Sequence, residues 1–395
     1  VSPLHAVLDA RWIFPEISGI GNYTRQLMRR LPLLAPEMTF TAIFDSPQLL
    51  ARETGAGAGW TPPPNFAVEL VPWRPFSPSG QLGMAARLRD LRADVFHSPN
   101  FMLPFPAVAP SGRRPRAVVT IHDLIPLLFP RYTPRARKTR WLPVLRLMMA
   151  ASVRRASAIV VPSGSTADDV RRTFPRVDPS RIVVTPEAAD PMFRPTPQPP
   201  SGPPVVLYIG RRDPYKNLPL LVRAFARVHR RIPAARLIVV GPPDPRYPEA
   251  EATARETGVE GAIEWKGYVA GDALLALYHG AHVAAFPSLY EGFGLPVLEA
   301  MACGVPVVCG NRSSLPEVAG DAALLVPPED EAAVADAILR VLADPRLAAD
   351  LRARGLRRAA LFSWEETARR TLAAYRRAVD LPADEPQTAP ACDGT

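Results

Sequence analysis

The sequence predicts an α/β protein of two parallel-sheet domains, and three observations predict it. Short apolar runs alternate with longer amphipathic ones from end to end, the pattern of parallel strands joined by crossover helices. At 395 residues the chain is too long for one typical core and suits two domains. A proline-rich connector, DPMFRPTPQPPSGPP from Asp190 to Pro204, breaks the alternation and is the expected hinge.

In the first half, strands are expected over 4–9, 39–44, 66–71, 94–97, 117–122, 158–162 and 182–185. Helices are expected between them, notably over 21–34, 80–92, 134–156 and 165–174. Ser163 and Ser165 open the last of these; capping accounts for one of them, and neither is assigned chemistry. After the connector come strands over 205–210, 236–241, 262–266, 282–287, 306–310 and 323–328. Helices over 217–232, 249–257 and 271–280 alternate with them, and another opens after a glycine-rich turn at Gly294. Three helices close the chain, over 331–343, 346–361 and 364–380, the last starting on a capping-box-like SWEE. Residues 382–395 are polar and proline-bearing and are expected to be disordered. The domains are thus 1–189, a hinge 190–204, and 205–363.

Hydrophobic and charged contents of 47% and 22% fit a globular protein in water. No apolar run reaches the roughly 18 residues of a membrane span, and the opening VSPLHAVLDA reads as a strand without a basic leader, so a cytoplasmic location is expected. Cys303, Cys309 and Cys392 show no metal-ligand spacing and leave one thiol over in any disulfide scheme, which fits a reducing compartment. Residues 1–190 hold 24 Lys and Arg against 14 Asp and Glu, so the net charge of +9 resides in the first half. Such a half can meet a phosphorylated substrate or an anionic membrane, and no nucleic-acid motif accompanies it. Within it, residues 134–156 combine seven cations with Trp141 and a run of Leu, Val and Met. That composition can lie on an anionic bilayer, so peripheral attachment to the inner face of the membrane is the expectation; an ordinary crossover helix interrupted by Pro143 is the alternative.

The most informative stretch is Pro287 to Gly304, PSLYEGFGLPVLEAMACG. It places Glu291 before a glycine-rich turn and Glu299 on the helix that follows, with Pro296 in the first turn and Leu295, Val297, Leu298 and Met301 on a buried face. A helix N-terminus offers N–H donors and the positive end of its dipole, and two flanking acceptors make the arrangement suit a sugar nucleotide. In open parallel sheets ligands bind beyond the carboxyl ends of strands. The loop after the strand VVLYIG carries Arg211 and Lys216, cations at a helix start, where the dipole favours acids. Gly19-Ile20-Gly21 precedes the first helix, without the third glycine of a dinucleotide fingerprint. His97 and His122 each follow a strand; His97 is read as structural.

The run E-G-F-G-L-P-V-L-E-A-M-A-C-G-V-P-V-V resembles the E-x7-E signature of retaining glycosyltransferases of family 4 (glycosyl transferases group 1). Gly210 to Asn217 resembles that family's G-R-x-x-x-x-K-N diphosphate site, and His122-Asp123 its active-site His-Asp loop. The resemblance implies the GT-B fold: two Rossmann-like domains facing a central cleft, with a terminal helix crossing back onto the first. It implies His122, Glu291, Arg211 and Lys216 as catalytic residues. Donor binding falls by the same resemblance to Gly19, Gly21, Arg211, Lys216, Tyr268, Val269, Glu291, Gly292, Phe293, Gly294, Leu295 and Glu299, with Glu299 on the ribose and Glu291 on the sugar. The implied partners are a nucleoside diphosphate sugar and a glycan or lipid-linked acceptor. No cofactor is expected, and no metal, since Asp-x-Asp occurs nowhere. The stretch SSLPEVAGDAALLVPP looks most like mannosyltransferases, making GDP-mannose the leading donor, with UDP-glucose and a same-fold epimerase or hydrolase as alternatives. One departure stands out: where many relatives show Asn-Gly after the last first-domain strand, this chain has Glu187 in TPEAAD, and whether it replaces that contact is open from sequence.

Overall fold

The computed structural model describes residues 3–16, 19–108, 115–132, 135, 141–196 and 200–379. Its first sheet holds β1 (His5–Asp9), β2 (Thr39–Phe44), β3 (Phe66–Leu70), β4 (Val95–Ser98), β5 (Arg116–Thr120), β6 (Ala158–Val161) and β7 (Ile182–Val184). With it go helices α1 (Gly19–Leu34), α2 (Pro47–Thr54), α3 (Pro78–Asp90), α4 (Ile125–Leu128), α5 (Leu142–Arg155) and α6 (Gly164–Thr173). The second sheet holds β8 (Val205–Ile209), β9 (Arg236–Val240), β10 (Ile263–Lys266), β11 (Val283–Phe286), β12 (Val307–Gly310) and β13 (Ala323–Val326). Its helices are α7 (Leu218–Arg231), α8 (Glu249–Glu256), α9 (Gly271–His279), α10 (Leu295–Ala302), α11 (Leu315–Ala319), α12 (Glu331–Ala343) and α13 (Pro345–Ala359), before the terminal α14 (Trp364–Ala378).

Every strand expected from the sequence is present; central ones such as β6, β11 and β12 are buried on both faces and stand out as apolar runs. Neighbouring strands pair in parallel, in the orders β3-β2-β1-β4-β5-β6-β7 and β10-β9-β8-β11-β12-β13. Strand order therefore reverses between β1 and β4 in one sheet and between β8 and β11 in the other. At such a reversal the flanking crossovers leave to opposite faces and open a crevice at the carboxyl ends.

The second sheet is enclosed by one core that includes Tyr208, Phe225 and Tyr278. The first has a core on each face, and α14 completes one of them by packing Trp364, Leu372 and Tyr375 against Tyr23 and Leu27 of α1. The terminal helix thus crosses back onto the first sheet, where Thr367 also donates to the Pro186 carbonyl.

Among the described residues three α-helices went unanticipated. α2 starts on Ser46, whose hydroxyl accepts from the Leu49 N–H, but runs only two turns; α4 and α11 are shorter still, with too few residues to show a period. The helix expected over 134–156 begins at Leu142 in the described residues, with Pro143 in its first turn, where a missing N–H costs nothing. Residues 134 and 136–140 lie outside the described residues, as do 382–395 with their expected disorder. Among the described residues no helix is long and apolar enough to cross a membrane.

Candidate active site

The carboxyl ends of the two sheets meet. The loops after β8 and β11, at the second sheet's reversal, carry Arg211 and Lys216 on one side and Glu291 to Leu295 on the other. Lys216 Nζ donates to both oxygens of Glu291, at 2.7 and 2.8 Å. Ser288 Oγ adds a third bond to that carboxylate, at 2.7 Å. Both charged side chains are largely buried. Burial works against the Lys216 ammonium, but the charge and hydrogen bond of Glu291 and the nearby Tyr215 outweigh it, so its pKa is raised. Arg211 reaches into the cleft with its side chain 61% exposed, braced by Asp213 at 2.8 Å and the Tyr215 hydroxyl at 3.1 Å. Two cations, Arg211 and Lys216, are thus set beside the turn, each held by one carboxylate.

Gly294, at φ +110°, turns the chain into α10 and is its N-cap, with no side-chain hydrogen bond across the helix start. A β-carbon there would strain the backbone and meet Leu315 at 2.8 Å. The turn is held from α11's side. Ser313 Oγ accepts from the Glu291 N–H at 2.8 Å, and Ser314 Oγ donates to the carbonyls of Glu291 and Phe293, at 3.0 and 2.7 Å. Phe293 itself is core. Glu299 lies farther along α10, half-buried, with the Tyr278 O–H donating to it at 2.8 Å. Burial drives its pKa up from 4.5 to about 7; the Tyr278 hydrogen bond opposes this and Asp190's charge adds to it.

From the first sheet, His122 follows β5 and presents its backbone carbonyl to Gly292. A β-carbon on Gly292 would sit 2.0 Å from that oxygen, so only glycine allows the approach. Gly19 opens α1 after β1, at the first sheet's reversal, and faces Leu295, whose Cδ1 is 3.9 Å from where a Gly19 β-carbon would be; Gly21 is buried. Three further contacts join the halves. Ser163 and Thr166 of the α6 start donate to the Gly292 carbonyl, at 2.7 and 3.1 Å. Glu317 accepts from the N–H groups of Gly164 and Ser165, at 3.0 and 3.4 Å, and Tyr290 donates to Asp169.

The structure thus brings Arg211, Lys216, Glu291, Gly292, Gly294, Leu295, Gly19 and His122 to one place. Glu299 stands apart from the Lys216–Glu291 pair, near the connector. Tyr268 and Val269 follow β10 at the sheet edge; Tyr268 is exposed, Val269 packs on the core, and neither touches the ion pair. His97 is fully buried between Thr120 and the Tyr375 hydroxyl, at 2.8 and 2.7 Å; burial and the charge of His122 push its pKa down to about 3, so it is a neutral structural residue. Sequence reasoning missed Ser163, which caps α6 through the Thr166 N–H and also reaches Gly292, and the pairing of Glu187 with His122. A cap signal was visible in the sequence; its second partner, 129 residues away, was not. Among the described residues no group of three or more His, Cys, Asp or Glu could hold a metal.

Residues 17–193 match the model of glycosyltransferase family 4, and residues 191–358 that of glycosyl transferases group 1. The chain is 33% identical over 392 residues to the O-antigen chain mannosyltransferase B of Escherichia coli, covering 91% of this chain and 96% of that one. Its fold is similar to that of sucrose-phosphate synthase from Thermosynechococcus elongatus, with a TM-score of 0.74 at 24% identity over 95% of this chain and 98% of the other. It is also similar to Anabaena HepE in complex with UDP and glucose, with a TM-score of 0.71 at 18% identity over 93% and 98%. Two facing parallel sheets, a returning terminal helix, an E-x7-E turn against a lysine, and a relative matched along nearly its whole length lead to one conclusion: the chain belongs to glycosyltransferase family 4.

Proposed function

We propose that the protein is a retaining, metal-independent hexosyltransferase that moves mannose from GDP-mannose to a hydroxyl of a glycan or lipid-linked acceptor. The observation that carries this reading is the Lys216–Glu291 pair with Arg211 beside it, set against His122 and Gly19 across the cleft. An ammonium has three N–H donors, so Lys216 can hold Glu291 and still meet a phosphate oxygen. With Arg211 it neutralises charge building on the departing diphosphate, the work a metal does where Asp-x-Asp is present. Glu291 accepts from sugar hydroxyls and Glu299 from the ribose. No enzyme nucleophile is assigned. The acceptor enters from the first-domain side on the face that the diphosphate leaves, and catalysis is electrostatic and positional.

Mannose is favoured by the full-length similarity to a mannosyltransferase. The exposed Trp141 at the start of α5, with Val144 and Leu147 along it and the exposed Arg146 among them, supports an acceptor met at an anionic membrane surface. Nucleotide release from a panel of GDP- and UDP-sugars, with and without oligosaccharide acceptors and with EDTA, tests the reading. GDP-mannose should be consumed in an acceptor-dependent, EDTA-insensitive way with the anomeric configuration kept. Equal release without acceptor would favour the hydrolase or epimerase alternative, and a strict divalent-ion requirement would overturn the metal-free account.

A further inference from the structure

His122 has an oxygen set against each of its ring nitrogens. The Glu187 carboxylate lies 2.9 Å from Nδ1, and the Pro99 carbonyl 3.1 Å from Nε2. A carbonyl and an ionised carboxylate can only accept hydrogen bonds. A neutral imidazole would therefore aim a lone pair at an oxygen whichever nitrogen kept its proton, and only the imidazolium satisfies both contacts.

The surroundings agree. Glu187 is 4% exposed, just past β7, and the preceding carbonyl of Pro186 is held by Thr367 of α14, so the backbone that carries the carboxylate is anchored. Asp123 follows His122 in the chain and also favours its charge. From β4, His97 is neutral; from α1, Tyr23 sets its ring edge-on at 5.0 Å and is kept un-ionised by burial. From the second half, the Gly292 backbone covers the His122 carbonyl and adds no charge. Burial opposes a charge on His122, but the hydrogen bond and charge of Glu187, the Pro99 carbonyl and Asp123 outweigh it and raise its pKa above 6.5.

We propose that Glu187 is a positioning residue that keeps His122 doubly protonated, so that its Nε2–H can leave the Pro99 carbonyl and donate a hydrogen bond to an oxygen of the donor sugar. The proton stays on His122 throughout, which makes the residue a fixed cationic donor and not a base. The sugar in this statement rests on the transferase reading above; the protonation state does not.

Histidine 15N NMR of the full chain, with His122→Asn to identify the signal, tests the protonation state directly. Both His122 nitrogens should carry protons at pH 7, and in Glu187→Gln the transition should fall by about one pH unit or more, a tenfold change in the proton equilibrium. Glu187→Asp keeps the charge on a shorter arm and should fall between, which also serves if the Gln variant fails to fold. In turnover, the alkaline limb of the kcat profile should move down with the NMR transition, while affinity for free nucleoside diphosphate, bound on the second sheet, stays unchanged. An identical His122 transition in wild type and both variants would overturn the proposal. A moved NMR transition with an unmoved kcat limb would overturn the contact to the donor sugar, and acceptor-independent chemistry would defeat the transferase reading while leaving the NMR result to stand on its own.

Discussion

Replacing Glu299 by Gln separates what this carboxylate does to stability from what it does for binding. Its pKa is raised from 4.5 to about 7, chiefly by burial. The folded-state value lies above the unfolded one, so the associated stability is fully present below pH 4.5 and is lost as pH rises through 7. At about 1.4 kcal/mol per pH unit, ionised Glu299 costs the folded protein about 3 kcal/mol above pH 7, less the part that solvent in the cleft screens. Glutamine keeps the shape and an acceptor for the Tyr278 hydroxyl but has no charge to desolvate. In urea unfolding at pH 5, 6, 7 and 8, the variant should match wild type near pH 5 and exceed it by about 2 kcal/mol at pH 8. Calorimetry at pH 8 should show the same variant binding nucleoside diphosphate about tenfold more weakly, since a neutral amide accepts less strongly from ribose hydroxyls than a carboxylate. A stability difference that does not vary with pH would refute the burial argument, and unchanged affinity would refute the ribose assignment.

Lys216→Ala and Arg211→Ala should each lower kcat by about 10²-fold or more, because each removes a charge acting on the departing diphosphate; near-normal turnover in both would end that assignment. Glu291→Ala should leave affinity for the free diphosphate intact and erase discrimination among donor sugars, which competition between GDP-mannose and GDP-glucose reads directly. Charge reversal at Arg137, Lys138 and Arg140 should abolish sedimentation with anionic vesicles while a water-soluble acceptor is still glycosylated. Salt should release the wild type from the same vesicles, the attraction being screened over roughly 8 Å at physiological ionic strength.

The sheets were legible because a strand buried on both faces has no polar positions to blur it, as in AIVV of β6 and VAAF of β11. Arg211, Lys216 and Glu291 could be singled out because they sit in short ordered strings around strand ends. What joins those strings was not readable. Lys216 and Glu291 are 75 residues apart and His122 and Glu187 are 65 apart, so their pairing is fixed by strand order and by no local pattern. The Tyr278 hydroxyl that reaches Glu299 comes from a neighbouring helix, where a tyrosine looks like any other core residue. Of the helix expected over 134–156, the described residues carry Leu142–Arg155, with Pro143 in the first turn, where its missing N–H is tolerated; 134 and 136–140 lie outside the described residues.

The Gly292 carbonyl, gripped by Ser163 and Thr166 from the opposite half, makes the turn from Glu291 to Leu295 a shared possession of both domains. Swinging the halves apart breaks those two bonds along with the Glu317 clasp on α6, and the peptide beside Glu291 loses its outer support in the same motion. On the transferase reading proposed above, an opened molecule would grip a sugar less firmly than a closed one, so that release of spent nucleotide and slackening of the sugar pocket would be a single event.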